Sequence, residues 1–130
     1  MPRAYTVATA AVALGLPVKW VDNVLSHHKL RGVRQERQGV ARRISVEGIL
    51  VLALTALLIQ EFGLSTTRAI TAAEGIVQSR GRYSSPQGLR IEVDLEAFQF
   101  GLLEQLEQAV EVAPLPKRGR PPKNKTGRLD

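Results

Sequence analysis

Residues 16–45 read LPVKWVDNVLSHHKLRGVRQERQGVARRIS, and the fold of the whole chain turns on how this stretch is parsed. In its first half Val21, Val24, Leu25 and His28 recur at i, i+3, i+4 and i+7, the spacing of one face of an α-helix. Lys19, Asn23, Ser26 and His27 fall on the opposite face. In its second half Lys29, Arg31, Arg34, Arg37, Arg42 and Arg43 stand against a single acid, Glu36, and Gly39 sits where a hairpin would turn. A helix with polar reach beside a cationic hairpin suits a nucleic-acid groove and its flanking phosphates.

Working outward, Thr6 is placed to cap a first helix running to about Leu14, with Val7, Ala10, Ala11 and Leu14 as its buried stripe. The alanines would let a neighbouring helix approach closely. Gly15 ends this helix, and Pro17 opens the next, where a missing N–H has no consequence. Helix, glycine turn and helix within about two dozen residues is helix-turn-helix spacing. The basic hairpin that follows makes it a winged helix-turn-helix.

From Tyr5 to Leu50 the segments YTVATAAVALGL, PVKWVDNVLSHHKL and RQGVARRISVEGIL resemble the MerR-type winged helix-turn-helix. That family opens with a Tyr-Thr pair, a small-residue helix and a glycine-hydrophobic turn, and its Arg-rich wing leads to a Ser-capped helix. Here His28 and Lys29 replace the family's usual glycine-leucine, Pro17 replaces its usual serine, and no sensor cysteines are present. Excisionase-like proteins share the same small domain. The resemblance covers the first half of the chain and implies DNA binding.

Downstream, Ser45 caps a helix from Val46 to about Glu61 that is apolar almost all round and therefore buried on more than one side. Its longest uncharged run, Gly48 to Ile59, is shorter than the ~20 residues of a membrane span. Ser65 or Thr66 caps another helix to about Gln78, with Ala69, Ile70, Ala73, Ile76 and Val77 in one stripe. Arg80 to Gln87 reads as a turn-rich connection and Leu89 to Val93 as a short strand of unassigned partner. Asp94 caps a last helix whose face comprises Leu95, Phe98, Leu102, Leu106 and Val110, widened by Phe100, Leu103 and Ala109. So broad a stripe predicts a homodimer contact in preference to simple core packing.

The net charge of +6 is unevenly placed. Residues 92–111 hold six acids (Glu92, Asp94, Glu96, Glu104, Glu107 and Glu111) and no Lys or Arg, whereas Lys117, Arg118, Arg120, Lys123, Lys125 and Arg128 in residues 113–130 face only Asp130. Such segregation assigns one face to a polyanion and another to protein contact. The composition from residue 113 onward, proline-rich and cationic without apolar periodicity, reads as a disordered tail. Within it Lys117, Arg118, Gly119, Arg120, Pro121 and Lys123 resemble an AT-hook. Two arginines flanking a small glycine suit the narrow, strongly negative minor groove of A·T-rich DNA.

These readings combine into a mainly α chain in three parts. Residues 1–50 form a winged helix-turn-helix with a small β-hairpin wing, 51–112 a helical extension with a dimerisation helix, and 113–130 a disordered basic tail. The expected function is sequence-specific binding of double-stranded DNA as a prokaryotic transcriptional regulator, in the cytoplasm on the nucleoid. Lys19 and Asn23 are the candidates for base edges, since Asn pairs bidentately with adenine and Lys reaches the acceptors of guanine. His27 joins them as a phosphate contact, and Trp20 either packs against the wing or stacks on a sugar or base. Arg31, Arg34, Arg37, Arg42 and Arg43 hold phosphates from the wing. The alternative is an interaction protein, such as an autoregulatory antitoxin or a phage excisionase-like accessory factor, whose acidic last helix binds a protein partner. His27 and His28 point about 100° apart with no third ligand at useful spacing, so no metal is expected. The absence of cysteine removes disulfides and thiolate ligands, and no phosphate loop or nucleophile elbow is present, so neither a cofactor nor catalysis is expected.

Overall fold

Short-range capping chemistry sets the element boundaries. The computed structural model describes residues 4–35 and 41–112, the last two by backbone alone. Thr6 caps α1 (Val7–Leu14), its Oγ1 accepting from the Thr9 N–H at 3.1 Å, and Gly15 closes the helix at φ 66°. Pro17 leads directly into α2 (Val18–His27), after which His28 turns to extended backbone. β1 (Ala4–Tyr5), β2 (Val33–Arg34) and β3 (Arg43–Ser45) form an antiparallel sheet with β3 in the middle. Ile44 of β3 lies opposite both Tyr5 and Val33 and is fully buried.

Ser45 ends β3 and caps α3 (Val46–Phe62), accepting from the Gly48 N–H at 3.2 Å, while its own N–H donates to the Gly32 carbonyl at 2.8 Å. The two glycines permit this junction. A Cβ on Gly32, whose φ is +82°, would lie 2.4 Å from Ser45 Oγ and 2.6 Å from Gly48 N, and a Cβ on Gly48 would lie 2.9 Å from the Gly32 oxygen. Only glycine fits this approach.

α3 and α4 (Thr66–Gln78, capped by Ser65) pack as a helical hairpin. α3 buries Ile49, Leu50, Val51, Leu52, Leu54, Thr55 and Leu58, which cover its circumference as expected of a helix enclosed on several sides. Beyond α4 the chain makes β4 (Arg82–Ser84) and β5 (Arg90–Glu92), an antiparallel pair. The strand expected near Leu89–Val93 therefore exists, and its partner comes from the segment read as mere connection. Tyr83 explains this: its ring sits over Gly75 of α4, where an added Cβ would be 2.8 Å away, so β4 is held by packing on α4 rather than by its own pattern.

Asp94 caps α5 (Leu95–Val112), accepting from the Ala97 N–H at 3.1 Å, and α5 lies along α1. Much of the face expected at a dimer contact is taken up within the chain itself. Leu102 and Leu106 are 3% and 0% exposed within the single chain, and Leu95 and Phe98 are half-buried against the same core. Of the five residues assigned to a second copy, only Val110 is exposed. The stripe is broad because it covers the alanine face of α1, where small side chains allow close helix approach. One hydrophobic core thus joins residues from Tyr5 to Ala109, shared by the parts on either side of residue 50. Among the described residues, no helix is long and apolar enough to cross a membrane.

Thr55 supplies a test of the core. It is fully buried in α3, and its Oγ1 has no hydrogen-bond partner among the described residues. An unpaired buried hydroxyl is destabilising, and valine has nearly the same shape. Thr55→Val is expected to raise unfolding stability by about 1 kcal/mol, read from chemical denaturation midpoints at unchanged slope. A loss of stability would show that the hydroxyl is bonded in solution.

Candidate nucleic-acid interface

The α2 helix divides cleanly. Val21, Val24 and Leu25 are buried, and Val18, Lys19, Asp22, Asn23, Ser26 and His27 are exposed. At about 100° per residue these six fill half the circumference, in the order Val18, Asp22, Ser26, Lys19, Asn23, His27. Trp20 falls just outside this arc, half-buried and packed against the core, so it belongs with packing rather than with the outward face. His27 Nδ1 donates to the Asn23 carbonyl at 2.8 Å, one turn back along its own helix. A carbonyl only accepts, so Nε2 is the ring atom presented to an outside partner.

The hairpin sorts its arginines into distinct roles. Arg34 and Arg43 are directly opposite in the β2–β3 register, both exposed, and among the described residues neither has an ion-pair partner. Directly opposed residues on antiparallel strands share one face of the sheet, and like charges placed so are destabilising. An anion seated between them would relieve that repulsion. Arg42 behaves differently: its guanidinium lies 3.5 Å from Asp22 Oδ1 and donates to Ser26 Oγ at 3.3 Å. Expected to hold phosphate, it instead ties the hairpin to α2 and neutralises the one acid on the outward arc. Arg31 precedes the strands with its side chain exposed, and its backbone N–H donates to Glu74 Oε2 at 3.2 Å, anchoring the loop to α4. Arg37 and the tail residues Lys117, Arg118, Gly119, Arg120, Pro121 and Lys123 lie outside the described residues, as does Gly39.

The structure therefore brings together Lys19, Asn23 and His27 on α2 with a hairpin bearing Arg34 and Arg43, the two elements fastened through Asp22, Ser26 and Arg42. Sequence reading missed Asp22. Its signal was an acid one turn before Ser26 on an otherwise cationic surface, but only the hairpin's position shows what it pairs with. In comparisons with known proteins, no family model matches the chain and no curated protein is detectably similar to it.

The opposed arginines make a prediction that involves no ligand. Arg34→Gln is expected to stabilise the fold by about 0.2–1 kcal/mol at low salt, because it removes a like-charge pair. The gain should vanish near 1 M salt, where the Debye length falls to about 3 Å. Denaturation at two ionic strengths decides it: destabilisation at both would mean Arg34 contributes packing and not repulsion.

Proposed function

We propose that this chain binds double-stranded DNA sequence-specifically through a MerR-like winged helix-turn-helix, as a transcriptional regulator acting on chromosomal DNA in a prokaryotic cytoplasm. The observation that carries the reading is the Arg34–Arg43 pair, without an ion-pair partner among the described residues, held beside the polar arc of α2. Repulsion maintained at the edge of a groove-sized helix is relieved when a phosphate sits between the two guanidiniums. α2 enters the major groove with Asn23 and Lys19 toward base edges. His27 reaches the backbone, and the hairpin arginines straddle the flanking phosphates. Arg42 acts indirectly, keeping Asp22 from repelling the phosphates and fixing the hairpin's angle to α2. The activity is binding, not catalysis, and draws on no cofactor. The tail adds minor-groove contact beside the main site through Arg118 and Arg120.

The experiment is selection of fragments from a random duplex pool, followed by titration of the preferred site. Asn23→Ala should cost about 1–3 kcal/mol on that site and relax preference at one or two base pairs. Equal weakening on every sequence would remove the base-reading role and leave Asn23 as a backbone contact. Arg34→Gln, in contrast, should weaken all duplexes alike and lower the salt slope by about 1.

The tail contributes in two separable ways. Its six basic residues add affinity by counterion release regardless of sequence, and the Arg118-Gly119-Arg120 arrangement adds preference for narrow A·T grooves. A tail of identical composition but scrambled order keeps the first and loses the second. Binding to the preferred site flanked by an A-tract, against the same site flanked by G·C pairs, should show the A-tract advantage only with the native order. The same advantage with both tails, or with neither, reduces the segment to a general basic arm.

A further inference from the structure

With its inner face spent on α1, α5 still presents an outer one. Residues 96, 100, 103, 107 and 110 follow one another at helical spacing, and all are exposed. Phe100 is 67% exposed, Leu103 38% and Val110 40%, and Glu96 and Glu107 alternate with them, with Glu104 alongside. A second copy does not suit this face. In a parallel pairing Glu107 would meet Glu107, and in an antiparallel one Glu96 would lie on Val110 and Glu107 near Phe100. Either arrangement desolvates a carboxylate without a partner. The surface calls for an occupant whose cations alternate with small apolar groups.

One such segment is tethered to the helix itself. Residues 113–130 read APLPKRGRPPKNKTGRLD, six Lys and Arg interspersed with prolines, glycine and leucine. We infer that the outward Phe100–Leu103–Val110 face of α5, with its acidic flank, is the docking site of the chain's own basic segment, residues 117–128. The lengths agree. α5 spans about 27 Å at 1.5 Å per residue, and 18 residues of extended chain reach about 56 Å at 3.1 Å each, enough to turn at Pro114 and Pro116 and run back along the whole helix. Exposed ion pairs contribute only about 0.2–1 kcal/mol apiece, but a short tether raises the local concentration to the millimolar range, so weak contacts suffice. α5 then imitates a polyanion. The segment's cations are given up only to a ligand of greater charge density, and an isolated phosphate does not compete.

This docking is independent of the DNA reading, and its test contains no DNA. The chain has no cysteine, so Asn124→Cys in the full chain takes a single nitroxide label. Amide signals of residues 96–110 are expected to lose at least half their intensity at about 0.1 M salt and to recover it near 1 M, as the Debye length shrinks from about 10 to about 3 Å. Adding Glu104→Lys and Glu107→Lys should abolish the loss at low salt; both positions are exposed, and an unchanged far-ultraviolet spectrum verifies the fold. Broadening that is uniform, insensitive to salt or centred on α2 overturns the proposal. So does broadening of α5 in a mixture where the label and the isotope are on different molecules, which would place the segment on another copy. If α5 signals respond instead to protein concentration and not to the label, a second copy covers the face and the proposal is wrong.

Discussion

The contact between Gly32 and Gly48 is what the rest of the architecture depends on. The loop leaving α2 comes so near the first turn of α3 that Ser45 bonds across it, its N–H to the Gly32 carbonyl and its Oγ to the Gly48 N–H. One residue thus ends the central strand, caps the central helix α3 and fixes the entry to the hairpin. Because the approach is backbone to backbone, it has little freedom to slide, unlike a contact between flexible side chains. The polar arc of α2 is therefore held in a set orientation to the core, and so is the hairpin that flanks it. A rigid mount of this sort limits the entropy lost on binding a groove.

On that mount the charges are arranged by opposition. Arg34 and Arg43 repel each other across the strands, and Arg42 and Asp22 attract each other across the gap to α2. The first leaves the surface short of an anion; the second keeps an acid from spoiling it. Neither is a large term, since exposed ion pairs are worth at most about 1 kcal/mol. Their importance is geometric and local. Meanwhile the acids of α5 occupy a separate element, so the two signs of charge stand apart on the surface.

How much of this was legible beforehand follows from the range of each interaction. The caps Thr6, Ser45, Ser65 and Asp94 and the left-handed Gly15 act within three or four residues, and each could be read from the string. The apolar faces of α1 to α5 were legible for the same reason. Coverage was not. Periodicity showed that Leu102 and Leu106 needed burial but not that α1, some ninety residues earlier in sequence, would provide it. β4 escaped because Arg82–Ser84 is short and offers one apolar residue, Tyr83, whose ring finds its place only against Gly75. At the candidate interface, residue types identified the arginines, but their division into an opposed pair and a latch appears only once the strand register is known. Trp20 was left open between packing and stacking, since a lone tryptophan beside a polar arc allows both, and its half-buried place against the core favours packing.

The seating of α5 on α1 also sets the order of events when the chain is made. α1 is synthesised well before α5, yet the helix that covers its alanine face ends near residue 110. At roughly 5–20 residues per second, the nascent chain waits on the order of 5–20 s with Ala10, Ala11 and Ala13 uncovered. Folding that joins distant ends is slow because loop closure must precede the contacts that reward it. The Gly32–Ser45–Gly48 junction that aims the hairpin lies wholly within earlier residues, so the element left waiting for α5 is α1, and a chain interrupted before α5 would carry α1 with its alanine face bare.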